Sequence, residues 1–418
     1  MNTPAHPIDI GIFAVFLLVT LVVGLLYGRK VKTMRDYALG GKNFSTSTLV
    51  ATVVATWSSG SSLFIDIENT YSSGLHYIIA VLGMPAGLWI TAQLATRMET
   101  FLNNVSIAEA MRDMYGKVVQ MITAFCGIIA KLGYAAIQFK VMSTMLSLLF
   151  EIDSSLAVYI VAGIVILYSS LGGIRSVTFT DVVQFFTFGA IIPILALTVW
   201  NKVANPTKVL TTLTANPNFS FREVIGFTPS FLATLGFMGY FATPIGGGAP
   251  EIFQRIAMAK DTRQVNQVLT YSAGIFVLIF GITVWVAILI LADNPGLAKG
   301  EVVPYMIEHY TYSGIRGLLG AGVMALGMST ADSCLNASSV LFSNDIVKPL
   351  TGQSQSTVIN ARLFSVIVGT LALLVALYST DLLSLLLLSG SVYMPVFTVP
   401  MLMAVLGFRT STRVVLIS

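Results

Sequence analysis

Seven residues inside a long apolar stretch, Gly327-Met328-Ser329-Thr330-Ala331-Asp332-Ser333, hold the densest potential chemistry in the chain. Hydroxyls and a carboxylate are costly in hydrocarbon, so they persist where they face a bundle interior or bind something. Neighbouring Ser and Thr hydroxyls with a carboxylate make an all-oxygen ligand set, which suits a hard cation and not a soft metal. A second acid, Asp181, opens another hydrophobic segment. Together they predict a membrane protein that handles a cation near mid-bilayer. No nucleophile stands paired with a base, so an enzyme is not expected.

The composition agrees with that setting. The 418 residues are 55% hydrophobic and only 10% charged, against about 25% charged in an ordinary soluble domain. A chain this long and this apolar is expected to be a polytopic all-α membrane protein. The net charge of +4 comes without a long basic run, which argues against nucleic-acid binding. Cys126 and Cys334 both lie in apolar segments and read as small core residues. The three histidines, His6, His76 and His309, have no ligand spacing. The first apolar stretch lacks a basic flank before it and a small-residue cleavage site after it, so it reads as a retained helix.

Stretches of about 20 apolar residues give eleven expected spans: 8–27, 47–72, 76–97, 119–150, 154–171, 179–201, 228–247, 267–292, 314–342, 359–379 and 382–407. The basic loops all fall on one side if these spans alternate: Arg29 to Lys32, Arg97 with Lys117, Arg175, Arg255 to Arg263, Lys348 with Arg362, and Arg409 with Arg413. The positive-inside rule makes that side cytoplasmic and puts the N-terminus outside. The expected location is a bacterial inner membrane.

Two spans carry interruptions. One holds Trp57-Ser58-Ser59-Gly60-Ser61-Ser62 at its centre, and another ends in Thr243-Pro244-Ile245-Gly246-Gly247-Gly248-Ala249-Pro250. Unwound backbone is tolerated at membrane depth where it lines a cavity, and its freed carbonyls can hold ions or substrate. The breaks lie five spans apart. That spacing predicts an extra N-terminal helix (1–30), a first five-helix repeat (44–201) and a second, inverted one (226–408), with 409–418 starting a further helix.

Several short motifs, in order along nearly the whole chain, resemble the sodium:solute symporter family. Tyr37-Ala38-Leu39-Gly40-Gly41-Lys42 looks like its glycine pair before the first core helix. Tyr168-Ser169-Ser170-Leu171-Gly172-Gly173-Ile174-Arg175-Ser176 looks like its signature, and Thr180-Asp181-Val182-Val183-Gln184 is similar to its Thr-Asp-x-x-Gln. Pro250-Glu251-Ile252-Phe253-Gln254-Arg255 looks like its Pro-x-x-x-Gln-Arg segment. Met328-Ser329-Thr330, Leu335-Asn336 and Asn344-Asp345-Ile346 look like the eighth core helix and its exit.

The resemblance implies a leucine-transporter-type 5+5 inverted-repeat bundle that couples sodium to the import of a small polar metabolite, amino acids first. Carried over by position, one sodium ion would meet the Ala55, Ser58 and Leu326 carbonyls and the Ser329 and Thr330 hydroxyls. A second cation site, found in some family members, would use Asp181, Ser329, Asp332 and Ser333. Asp332 stands where such members have a serine. It would tighten a second sodium site, carry a proton, or pair with Lys131 or Lys140. Solute-facing residues map to Trp57, Ser59, Ser62, Tyr77, Val81, Tyr134, Gln138, Phe237 and Tyr240. Asp66 and Glu68 are expected at the outer water boundary, with attraction of a cationic solute as the alternative. Some bacterial relatives place such a module ahead of a sensory histidine kinase, so a sensor is the rival reading. The expected partners are sodium, a small solute and the bilayer, and the expected state is a monomer.

Overall fold

The computed structural model describes residues 6–28, 31–203, 205–242, 245–352, 358–379, 382–408 and 411–417. Among these there are helices and turns but no strands. The first helix, α1 (Pro7–Gly28), exposes a ring of apolar side chains that includes Val15, Leu18 and Leu26. Next comes the broken pair α2 (Thr46–Trp57) and α3 (Gly60–Ser73), bent by 60°. The third span is made of two pieces, α4 (Leu75–Val81) and α5 (Gly83–Gln93).

Two long runs follow, α6 (Lys117–Phe150) and α7 (Ser154–Val203). At 1.5 Å per residue, the 50 residues of α7 would reach about 75 Å, far beyond a hydrocarbon core of about 30 Å. The run is interrupted at Gly173, where φ is 61° and ψ is −172°, a conformation essentially restricted to glycine. Gly173 therefore separates the two spans expected at 154–171 and 179–201.

The second half opens with α8 (Pro229–Phe241) and α9 (Pro250–Ala257). Between them Gly246 and Gly247 take positive φ and Pro250 starts the new helix at its first turn, where no amide donor is needed. Thr243 and Pro244 of that expected break lie outside the described residues. The later elements of the bundle include α10 (Thr262–Asp293), α11 (Ile315–Val340), α12 (Val358–Tyr378), α13 (Leu382–Tyr393) and α14 (Val399–Val405). Among the described residues seven helices are long and apolar enough to cross a membrane, or eight when the bent pair counts as one. The eleven expected segments all fall on helices: α7 carries two of them, and the segments at 228–247 and 382–407 fall on shorter, broken pieces.

The centre of the bundle is α11, which packs on α6, α7, α1 and α12. The most apolar part of this span is 94% buried, against 17% for α1. Its polar residues therefore face protein, as hydroxyls and acids in a membrane require. The terminus of α11 is tied to α1 by the Asp9 carboxylate, which accepts the Gly314 and Gly317 amides, each at 2.7 Å. An acid at a helix N-terminus satisfies otherwise unpaired amides and suits the helix dipole.

Candidate functional site: an oxygen cage beside an aromatic cavity

The break between α2 and α3 follows from serine chemistry. Ser59 caps α3 by accepting the Ser62 amide at 3.0 Å, while its own amide turns back to the Trp57 carbonyl at 3.1 Å. In an unbroken helix the Ser59 amide would bond the Ala55 carbonyl four residues earlier. That carbonyl instead accepts the Ser329 hydroxyl at 2.7 Å. The Thr330 hydroxyl likewise donates to the Thr56 carbonyl at 2.9 Å. Both hydroxyls also reach the Leu326 carbonyl, at 2.9 and 3.3 Å.

Five neutral oxygens thus converge from two helices: the carbonyls of Ala55, Thr56 and Leu326 and the hydroxyls of Ser329 and Thr330. Ser58 lies at the same break, and its buried Oγ has no partner among the described residues. Such a donor set fits a hard monovalent cation. Four of the five expected residues, Ala55, Leu326, Ser329 and Thr330, meet through these bonds. Thr56, whose carbonyl accepts the Thr330 hydroxyl, is an addition to the expected set.

Asp181, Asp332 and Ser333 also come together, but in company that the sequence did not predict. Arg255, expected in a cytoplasmic basic loop, is instead 1% exposed on α9 inside the bundle. Its guanidinium donates to Ser333 Oγ at 2.6 Å and to Asp181 Oδ2 at 3.4 Å. Thr52 also donates to Asp181 Oδ2. Asp332 accepts the Tyr168 hydroxyl at 2.8 Å and pairs with neither Lys131 nor Lys140. Ser329 is turned away towards Ala55 and Leu326. A buried carboxylate needs a compensating charge, and here the guanidinium supplies it to Asp181.

Beside the oxygen cage lies a cavity of about 150 Å³. Trp57, Ser59, Ser62, Tyr77, Tyr134, Gln138 and Tyr240 all line it, as expected from the sequence, and so do Thr56 and Thr330. Phe237 does not. It sits on the outer side of α8, 47% exposed, and Phe241, one turn later on the same helix, takes the wall position. Val81 lines a smaller adjacent cavity of about 40 Å³.

An ion pair in the main cavity was not foreseen as such. Lys131 Nζ on α6 lies 2.8 and 2.9 Å from the two Glu251 oxygens at the start of α9. Trp57 Nε1 donates to the same carboxylate at 3.2 Å. The ammonium also stands 4.4 Å from the Tyr134 ring centroid and 5.5 Å from that of Tyr393. Lys131 in an apolar helix signalled that a partner must exist, but nothing in the sequence singled out Glu251. Asp66 is likewise displaced from its expected place at the water boundary, since it lines both cavities and accepts the Tyr77 hydroxyl at 2.7 Å.

Residues 37–416 match the model of the sodium:solute symporter family. The chain is 23% identical to the high-affinity choline transporter 1 of Caenorhabditis elegans over 406 residues, covering 88% of this chain and 69% of that protein. It is 23% identical to the high-affinity proline transporter of Bacillus subtilis over 380 residues, covering 85% of this chain and 78% of the relative. Among solved structures, the substrate-bound outward-open state of a Na+-coupled sialic acid symporter superposes with a TM-score of 0.86 at 20% identity, covering 96% of this chain and 87% of the other. These matches are to transporters, and the sensory alternative finds no support among them. A fold of broken, inverted helical repeats and a match over nine-tenths of the chain lead to one conclusion: the protein belongs to the sodium:solute symporter family, membrane-spanning secondary transporters for which Na+ is the coupling ion.

Proposed function

We propose that the protein imports a small polar organic solute together with sodium across a bacterial inner membrane. Sodium would bind among Ala55, Thr56, Leu326, Ser329 and Thr330, with Ser58 at the edge of the cage. The solute would occupy the cavity lined by Trp57, Ser59, Ser62, Tyr77, Tyr134, Gln138 and Tyr240. Residues 44–201 and 226–408 would form the two repeats, with the N-terminus outside and the monomer as the working unit. The named solutes of the relatives, choline and proline, fall within this size class.

One observation carries the reading. Thr330 belongs to both places: its hydroxyl bonds the carbonyl freed at the helix break, and the residue lines the solute cavity. Sodium at the cage would hold the break in one shape and so set the cavity wall. Solute and ion must then raise each other's affinity by the same factor. Inward movement of one charge gains about 2.3 kcal/mol per 100 mV of membrane potential. A cage of neutral oxygens also lets the ion leave again. The Asp181 cluster carries its own cation in Arg255, which favours one transported sodium over two.

The reading is tested in proteoliposomes. An inward sodium gradient should drive solute uptake, and an equal potassium gradient should not. Thr330→Ala removes one oxygen and should raise the half-saturating sodium concentration about tenfold, equivalent to about 1.4 kcal/mol. Thr330→Ser should stay close to wild type. Sodium dependence unchanged in Thr330→Ala would remove the cage from the mechanism.

A further inference from the structure

We propose that the solute carries a positively charged amine nitrogen, held at Asp66 among aromatic rings, and that organic cations bind in preference to zwitterions with the same head group. This rests on the cavity being the solute site. Three ionisable acid and base side chains line it: Asp66, Lys131 and Glu251. Lys131 and Glu251 cancel each other at 2.8 Å. Asp66 has only the neutral Tyr77 hydroxyl, and among the described residues no Lys, Arg or His nitrogen lies within 4.0 Å of it. Asp66 is half-buried in the cavity wall; a carboxylate drawn partly out of water without a counter-charge is costly, and a cationic ligand supplies that charge.

The surroundings suit a nitrogen cation. Asp66 sits where the two cavities adjoin, so a ligand in either reaches it. Tyr77 and Phe241 stand edge to face with centroids 6.4 Å apart, and Trp57 lines the same cavity. Aromatic faces attract ammonium groups, most strongly when desolvated. The cavity already uses this interaction for Lys131, over Tyr134 and Tyr393. A solute carboxylate finds no equivalent, because both Glu251 oxygens hold the one lysine. The volume of about 150 Å³ matches that of cavities that take a benzene-sized ligand.

The test uses purified full-length protein in sodium and reads thermal shift with choline, ethanolamine, tetramethylammonium and putrescine. Beside them stand 3,3-dimethylbutan-1-ol, the uncharged isostere of choline, and glycine betaine, the same head group with a carboxylate. At least one cation should stabilise the protein, its uncharged counterpart should not, and the zwitterion should bind more weakly. Asp66→Asn should weaken cation binding about tenfold or more, and Asp66→Glu should restore most of it, which separates charge from folding. The inference is overturned if the uncharged isostere stabilises as well as choline, if Asp66→Asn binds as wild type, or if sodium stabilises while no cation does. Absence of any sodium-specific shift would instead bring down the transporter-site reading on which this one stands.

Discussion

At the scale of single residues, the chain resolves two buried charge problems in different ways. Lys131 and Glu251 neutralise each other inside the cavity, where their side chains are 4% and 8% exposed. Removing one member of such a pair leaves the other charge unpaired, at a cost of about 3–5 kcal/mol, whereas removing both is far milder. Lys131→Met and Glu251→Gln should therefore each lower the melting temperature sharply, and the double variant should melt above either single one. Additive losses in thermal unfolding would mean that the two side chains act independently. The hydroxyl residues were legible beforehand because their types are conspicuous in an apolar run. Ser329, Thr330, Asp181 and Asp332 announced themselves in this way. Backbone ligands carry no such mark: the Ala55 and Leu326 carbonyls were named only through the family resemblance, and Thr56 was not named. Arg255 misled, because an arginine between two apolar stretches looks the same in sequence whether it ends in a loop or folds back into the bundle.

At the scale of elements, the breaks matter more than the helices. Ser58-Ser59-Gly60 marked the first break in the sequence, and the glycine run before Pro250 marked the second, because serine caps and glycine bends are local chemistry. The pairing of Lys131 with Glu251 joins residues 120 positions apart, and local chemistry says nothing about that. Phe237 fell on the wrong face for a related reason: once a helix begins at Pro229 and ends at a break, a difference of one turn decides which ring faces the cavity. The interruption at Gly173 offers a direct check. A Cβ there would enter at φ +61° and meet the Tyr37 ring at 2.8 Å. Gly173→Ala should cost about 1–3 kcal/mol from backbone strain alone. Gly163→Ala, at a helical position with nothing within 4 Å, should leave the melting temperature unchanged. Equal behaviour of the two variants would show that the kink at Gly173 is not required.

At the scale of the whole molecule, the architecture was legible from hydropathy and from the spacing of the two breaks, since a bilayer admits few backbone solutions. Its orientation can be measured. Cys126 and Cys334 are the only cysteines, so a cysteine-free background needs two substitutions. Single cysteines at Lys117, Lys208 and Lys260, all exposed, can then be probed with an impermeant maleimide. Position 208 should label in right-side-out vesicles, and 117 and 260 only in inside-out ones. Labelling of 117 and 208 from the same face would overturn the proposed topology. The first helix gives such experiments a further use. Asp9 fastens α1 to the start of α11, and Ser176 on α7 donates to the Gly24 carbonyl at 2.6 Å. A Cβ on Gly28 would lie 2.7 Å from Gly172 Cα, so there the two backbones touch. Helix α1 is thus clamped to the two spans that carry the cage hydroxyls and Asp181, while its outer face is exposed at Val15 and Leu18. A fluorophore at either position would ride on that framework without entering the permeation path, serving as a fixed surveyor's mark from which displacements elsewhere in the bundle can be ranged during turnover.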